Sequence, residues 1–184
     1  IEGTDTEAKR EYILLSAHWD HLGIGDPVNV DSIYNGALDN ASGTADLLAI
    51  ARQLSRGPRM KRSALISFVT AEESGLLGSA FLAQNPLVPT EDAHTERGYF
   101  YRSDHFSFAK AGVPSVSIGE GEDFVGRPVG WGLQQSEDYN TKRYHQPGDE
   151  FDATWDFRGA VQLSNIVLEF TRALGNSREW PSWS

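Results

Sequence analysis

The stretch "SALISFVTAEESGL", residues 63–76, passes from an apolar, β-prone segment directly into two adjacent carboxylates, Glu72 and Glu73. Its apolar part predicts a buried strand over residues 63–70. Neighbouring side chains at a strand end point to opposite sides, so the two acids need not share one task. One acid can bind a cation while the other exchanges a proton. For these residues taken alone, a solvated loop edge is the alternative.

Apolar periodicity and the Gly, Pro and Ser signals predict further elements on both sides of this stretch. The other predicted strands are 11–17 and 113–119, the predicted helices are 43–57, 75–86, 103–112 and 156–174, and residues 120–156 are a predicted loop region. In the first helix, Ala45, Leu48, Ala49 and Leu54 lie at helical spacing. Strands that alternate with helices predict one α/β domain over residues 1–184, with three layers and a largely parallel central sheet.

The composition of the chain argues against several classes of partner and site. The 184 residues carry 26 acidic side chains against 16 Lys plus Arg, a net charge of −10, which argues against nucleic acid as a partner. The absence of cysteine excludes disulfides and thiolate metal sites. It fits a secreted or periplasmic protein, which is the location that we expect, although it fits a cytosolic protein too. No apolar segment is long enough to predict a membrane span. The chain begins without Met, so we expect it to be processed or to be part of something longer.

Three more polar clusters lie next to predicted strands and helices. They are "AHWDH" (17–21), "GALDNASGT" (36–44) and "RYHQPGDEFD" (143–152). Sites in open parallel sheets form at the carboxyl ends of strands, and His and carboxylate ligands without sulfur suit a catalytic zinc. The spacing of His18 and Asp20 suits a ligating imidazole held by a carboxylate, or by a backbone contact of Asp20. Each cluster alone also fits a structural role, and only their joint occurrence indicates a metal site.

Five segments in order resemble the successive motifs of the M28 metallopeptidases, the co-catalytic zinc aminopeptidases. They are "SAHWDHLG", "GALDNASGTADLLAIAR", "FVTAEESGLLGS", "RSDHFSFAKAGVPSV" and "RYHQPGDE", within residues 10–175. The resemblance implies an α/β/α sandwich around a mixed, largely parallel sheet. It also implies a zinc enzyme that removes N-terminal residues from peptide substrates.

The resemblance implies a role for individual residues. His18 matches a ligand of one zinc and Asp20 its second-shell partner, whereas Asp39 matches the aspartate that bridges two zincs. The other zinc would be bound by Glu73 and His145. Glu72 matches the general base, which would explain the adjacent acids, because a carboxylate neutralised by zinc is a poor base. Tyr144 matches a hydrogen-bond donor to the oxyanion.

The chain departs from this pattern at one zinc ligand. The family has an aspartate on a strand after the Glu-Glu helix, and residues 86–98 are too polar and too rich in proline to be that strand. The chain therefore resembles a family member that lacks an internal segment and the N-terminal part. We expect one tightly bound zinc, and a second that binds weakly unless Asp92 or Asp104 substitutes.

Two other functions stay open. One is a glutaminyl-cyclase-like enzyme, because that branch resembles this fold and uses one zinc. Asp104 would then be a hydrogen-bonding catalytic acid. A catalytically impaired metal-binding domain is the other. His21, His94 and His105 are interpreted as hydrogen-bonding or surface residues. The Gly-rich segment 119–132 is interpreted as a substrate-side loop, with Phe124 and Trp131 as pocket walls or packing residues.

Overall fold

A computed structural model describes residues 1–84, 103–118, 124–179 and 181–182. The four strands are β1 (Tyr12–His18), β2 (Gly23–Val28), β3 (Asp31–Tyr34) and β4 (Ser63–Val69). The five α-helices are α1 (Gly43–Arg56), α2 (Leu77–Gln84), α3 (His105–Lys110), α4 (Trp131–Lys142) and α5 (Arg158–Asn176). None of these described helices is both long enough and apolar enough to cross a bilayer.

Strands β1 and β4 pair in parallel, from Tyr12 opposite Ser63 to His18 opposite Val69. Parallel neighbours need a crossover connection, and α1 lies in the connection between these two strands. The register brings the carboxyl ends of both strands to one edge, where the Trp19 N–H donates to the carbonyl of Val69 at 3.1 Å. His18 and the Glu72–Glu73 pair are thus placed side by side.

The core lies where α1 and α5 pack against this strand pair. Its buried residues are Ile50, Leu54, Met60, Ala64 and Leu168, with Leu15 and Val167 packed against them. The face of α1 that is buried carries Leu47, Ile50 and Leu54. Ala45, Leu48 and Ala49 are exposed, so the predicted face was wrong except at Leu54. The helix has apolar residues on several sides, and their spacing alone does not select one of them.

The predicted strands 11–17 and 63–70 and the predicted helices agree with β1, β4, α1, α2, α3 and α5 to within a few residues. The strand predicted at 113–119 is wrong for residues 113–118, which form no strand. Pro114 lacks a backbone N–H, and none of the described strands pairs with this segment. Residue 119 lies outside the described residues.

The hairpin of β2 and β3 and the helix α4 were not predicted. The antiparallel hairpin of β2 and β3 turns at Asn29 and Val30, which take the left-handed angles that a two-residue turn requires. All of β2 is exposed, so no apolar alternation marks it. Helix α4 falls in the predicted loop region. Gly132 is its one buried residue, and a helix that is polar on nearly every side shows no apolar period.

The described residues form a mixed α/β structure with two small sheets, each of two strands. The parallel pairing of β1 with β4, and the two helices against them, agree with the predicted α/β class. The larger sheet of a three-layer sandwich is not among these residues and stays a prediction.

Candidate metal centre

Five side chains alternate between imidazole and carboxylate at the carboxyl edge of β1 and β4. They are, in spatial order, His18, Asp39, His145, Glu73 and His21. Four of them are the predicted metal ligands. They come from the end of β1, the turn before α1, the turn after β4 and the loop after α4, so the fold brings together residues that are up to 127 positions apart in the sequence.

Asp39 lies between two of the histidines. Its Oδ1 is 3.2 Å from Nε2 of His18, and its Oδ2 is 3.6 Å from Nε2 of His145. The residue sits in the irregular turn Ala37–Ser42 that leads into α1, where its backbone leaves helical angles at φ −108° and ψ 87°. One oxygen toward each histidine is the arrangement that a carboxylate shared by two metal positions requires.

His18 is buried at the end of β1. Its Nδ1 is 3.1 Å from the backbone carbonyl oxygen of Asp20 and 3.8 Å from the Asp20 carboxylate. The closer partner is therefore the backbone, which was the alternative left open for this spacing. The Asp20 carboxylate instead accepts the backbone N–H of Glu72 at 3.1 Å. Asp20 thus contacts a predicted ligand and the predicted base at once.

Glu73 is almost fully buried and has a histidine at each oxygen. Its Oε2 is 3.0 Å from Nε2 of His145, and its Oε1 is 2.8 Å from Nδ1 of His21. His21 is therefore a hydrogen-bonding residue, as predicted, but it lies inside the site and not on the surface. The second histidine of "HWDH" is a signal that could have pointed to it. His94 and Asp92 lie outside the described residues.

The two adjacent acids differ in environment. Burial raises the pKa of Glu72 to about 7, because the attraction of His18 does not offset burial and the repulsion of Glu73. A carboxyl with a pKa near neutrality can take up and release a proton at working pH, which a general base must do. Ligand atoms of His18, Glu72 and Glu73 lie within 4.8 Å of one another, so Glu72 is close to the other groups.

The His18–Asp39 contact has the electrostatics of an ion pair when no metal is bound. Burial lowers the pKa of His18, but the hydrogen bond to Asp39 and the charge of Glu72 outweigh it and raise that pKa to about 9. Burial raises the pKa of Asp39, and the same hydrogen bond overcomes this and lowers it. A proton therefore occupies the position between these two groups and has to leave before a cation can bind there.

Tyr144 stacks on His145, with ring centroids 3.9 Å apart and planes inclined by 24°. His145 itself has a left-handed backbone, φ 53°, which turns its imidazole out of the helical path of α4. The stacked ring limits the movement of the imidazole, and it places Tyr144 beside the predicted metal ligands. Its role as an oxyanion donor stays a prediction.

Asp149 contacts the turn that carries Asp39 and was not predicted from the sequence. Its side chain is fully buried, and its carboxylate accepts the N–H of Leu38 at 3.1 Å and the N–H of Asp39 at 3.0 Å. The hydroxyl of Tyr139 donates to the same carboxylate at 3.4 Å. Asp149 thereby joins the loop of His145 to the turn of Asp39. The Asp in "HQPGDE" was the available signal, but nothing in that motif states which backbone it binds.

Asp104 is buried at the start of α3, and its Oδ1 has no hydrogen-bond partner. Burial raises its pKa, although a hydrogen bond from Ser79 counteracts part of that effect. It belongs to neither described group of metal-ligand atoms. The prediction that Asp104 could substitute for the missing aspartate is not supported by these contacts.

The donor set fits zinc. The cluster offers imidazole nitrogens and carboxylate oxygens and no sulfur, and these are the ligands that a catalytic zinc takes. The residues that would hold the metal are Asp39, Glu73 and His145 for one position and His18 with Asp39 for the other.

A sequence model of peptidase family M28 matches residues 1–95 and 87–171, and together these segments cover most of the chain. The chain belongs to peptidase family M28. This M28 chain is similar in sequence to two proteins that are each described as a "probable zinc metalloprotease". They come from Pyrenophora tritici-repentis (strain Pt-1C-BFP) and Pyrenophora teres f. teres (strain 0-1).

Each relative is 35% identical over 83 residues, which is 45% of this chain and 17% of the relative. The match therefore spans about a sixth of the length of either fungal protein. No solved structure matches the chain. Family membership rests on the family match and is consistent with the His and carboxylate cluster of this M28 chain.

Proposed function

We propose that the chain is a zinc-dependent aminopeptidase that removes N-terminal residues from peptides. The observation that carries this proposal is the alternation of His18, Asp39, His145 and Glu73, with Glu72 beside them and half-buried. Membership of the M28 family supports it. We also propose that β1 and β4 belong to the larger, largely parallel sheet of a three-layer sandwich, which their pairing and their cover of α1 and α5 support.

Zinc bound by these residues would polarise the scissile carbonyl and make water more acidic. Glu72 would accept the proton of the attacking water and pass it to the leaving amine, for which a pKa near 7 is suited. Asp20 fixes the backbone of Glu72 by accepting its N–H. Tyr144 would donate a hydrogen bond to the oxygen that gains charge, worth about 3 kcal/mol when well placed.

The separation of roles between Glu72 and Glu73 is tested by two variants. We expect E72Q to keep its zinc and lose about 10²–10⁴-fold in turnover, because a base is removed and a ligand is not. E73Q should lose zinc first, because Glu73 contacts two of the histidines. Zinc retained after dialysis is measured for both, alongside hydrolysis of a panel of aminoacyl-nitroanilides. Loss of zinc from E72Q would reverse the assignment.

A single-zinc enzyme of the glutaminyl-cyclase type is the second candidate. The buried carboxyl of Asp104, with a raised pKa and one oxygen without a partner, is the observation that favours it. A protonated carboxyl there can donate the hydrogen bond that such an enzyme needs. Cyclisation of N-terminal glutaminyl peptides, with no release of amino acid from the nitroanilide panel, would favour this candidate. Zinc binding with neither activity would indicate an impaired domain.

A further inference from the structure

His21 is part of the cluster and has no role in the proposed function. Ligand atoms of His21, Asp39 and Glu73 lie within 4.8 Å of one another, which is close enough for one cation to contact all three. The ring centroid of His21 is 5.9 Å from that of His145, so both imidazoles lie on the Glu73 side of Asp39. His21 therefore adjoins the position assigned to the tightly bound zinc.

The His21 ring is buried and faces the carboxylate of Glu73. Its side chain is 6% exposed, Nδ1 lies 2.8 Å from Oε1 of Glu73, and Nε2 is buried with no hydrogen-bond partner. Nδ1 is thus the ring nitrogen that could share a cation with Glu73, because Nε2 lies on the opposite side of the ring.

The backbone is shaped around this imidazole. Gly36 has a left-handed angle, φ +65°, and a Cβ there would lie 2.5 Å from Cγ of His21. A side chain at position 36 would push the ring away from Asp39 and Glu73. The chain thus combines a glycine that leaves room, a ring that is buried and two carboxylates within reach.

We propose that His21 is a metal ligand, at the position bound by Asp39, Glu73 and His145. The proposal rests on the proposed function, because it assumes that zinc binds this cluster. With His21, that position draws on two imidazoles and two carboxylates. With water as a further ligand, zinc at this position would be five-coordinate, which a catalytic zinc can become. None of the four protein groups is the aspartate that we predict to be missing. His21 would then be the reason that one zinc is held tightly in a shortened site.

The test compares H21Q with H21A, and uses H105Q as a control because His105 lies outside both groups of ligand atoms. The glutamine amide can still donate to Glu73, but it is a poor zinc ligand. Zinc affinity is measured by competition with a chelator. X-ray absorption of protein loaded with one equivalent of zinc reports how many imidazoles bind the ion.

We expect H21Q and H21A to lose one imidazole from the zinc spectrum. We also expect their zinc affinity to fall by more than the roughly 10–100-fold that follows loss of an orienting contact, with H105Q like the parent. An unchanged number of imidazoles in H21Q would overturn the proposal and leave His21 as an orienting residue. Failure of the parent protein to retain zinc would instead contradict the proposed function itself.

Discussion

At the scale of single residues, Asp149 shows how the site depends on a group that binds no substrate. Its carboxylate receives three donors, two of them backbone N–H groups of the turn that carries Asp39. A charged group without solvent is stable only when its hydrogen bonds are satisfied. Asp149 therefore fixes the backbone of Asp39 although the two residues are 110 positions apart in the sequence.

We expect D149N to lower the free energy of unfolding by about 1–3 kcal/mol, because the amide places N–H groups against buried donors. Zinc affinity should fall as well, because the backbone of Asp39 is no longer fixed. Urea unfolding of the metal-free protein and chelator competition measure the two effects. Y139F removes only the 3.4 Å hydroxyl contact and should cost less. A D149N variant as stable as the parent would contradict this account.

Asp104 gives a prediction about pH. Its pKa is raised from 3.8 by burial in the folded state, so the folded protein holds the proton to higher pH than the unfolded chain. The stability that Asp104 contributes is thus present below about pH 3.8 and is lost as the pH rises through the folded pKa.

We expect the unfolding free energy of D104N, relative to the parent, to increase as the pH rises through this window and then to level off. Urea titrations at a series of pH values measure it. D26N, which changes an exposed aspartate, controls for the loss of one negative charge. A difference between D104N and the parent that does not vary with pH would show that Asp104 is not perturbed.

At the scale of elements, the turn between β4 and α2 decides where Glu72 and Glu73 are held. Gly78 donates its N–H to the carbonyl of Thr70 at 2.9 Å, and Ala71 and Leu76 both have left-handed backbone angles. A Cβ on Gly78 would lie 2.3 Å from that carbonyl oxygen and 2.7 Å from the Thr70 nitrogen. These are backbone atoms next to the end of β4, so moving them would cost free energy because it would disturb the pairing of that strand.

We expect G78A to lower the unfolding free energy by about 1–3 kcal/mol, as overpacking does, and to weaken zinc binding by displacing the turn. G148A is the matched control. Its Cβ would lie 3.6 Å from the nearest atom, the Lys142 carbonyl oxygen, and should change stability by less than about 0.5 kcal/mol. Equal effects of the two substitutions would mean that the turn relaxes.

The sequence predicted those elements that bury an apolar segment or face. The strand that carries His18 and the strand that leads to Glu72 follow from their apolar runs, and α5 follows from its length and period. The β2–β3 hairpin and α4 bury almost nothing, so their residues carry no apolar period, and their conformations depend on turn geometry and local polar contacts. The motifs indicated His18, Asp39, Glu73 and His145, but His21 and Asp149 depend on contacts between distant segments.

At the scale of the whole molecule, the property that we predict is the number of zinc ions bound per chain. In our proposal one position has Asp39, Glu73 and His145, which contact one another, whereas the other has His18 and shares Asp39. The family match falls in two segments that meet at residues 87–95, which is what the loss of an internal segment there would produce. We expect the family aspartate that we predict to be missing to belong to such a segment.

We expect one tightly held zinc per chain and a second only at high metal concentration. Two zinc ions about 3.5–4 Å apart repel each other. A site with one carboxylate fewer has less negative charge to compensate that repulsion. Peptidase activity should then be low and should rise when zinc is added. Metal analysis after exhaustive dialysis decides this. Two retained zincs per chain would show that a further residue, such as Asp92 or Asp104, completes the second position.

The bonds from Leu38 and Asp39 to Asp149 span 111 and 110 residues of the chain. Contacts so distant in sequence require a long loop to close, and they form late in folding. A transient opening of the loop between α4 and α5 would withdraw His145 and uncover these two amides together. The rate of amide hydrogen exchange at Leu38 and Asp39 would then equal the rate of metal release. Exchange at these two N–H groups would therefore report the residence time of the ion.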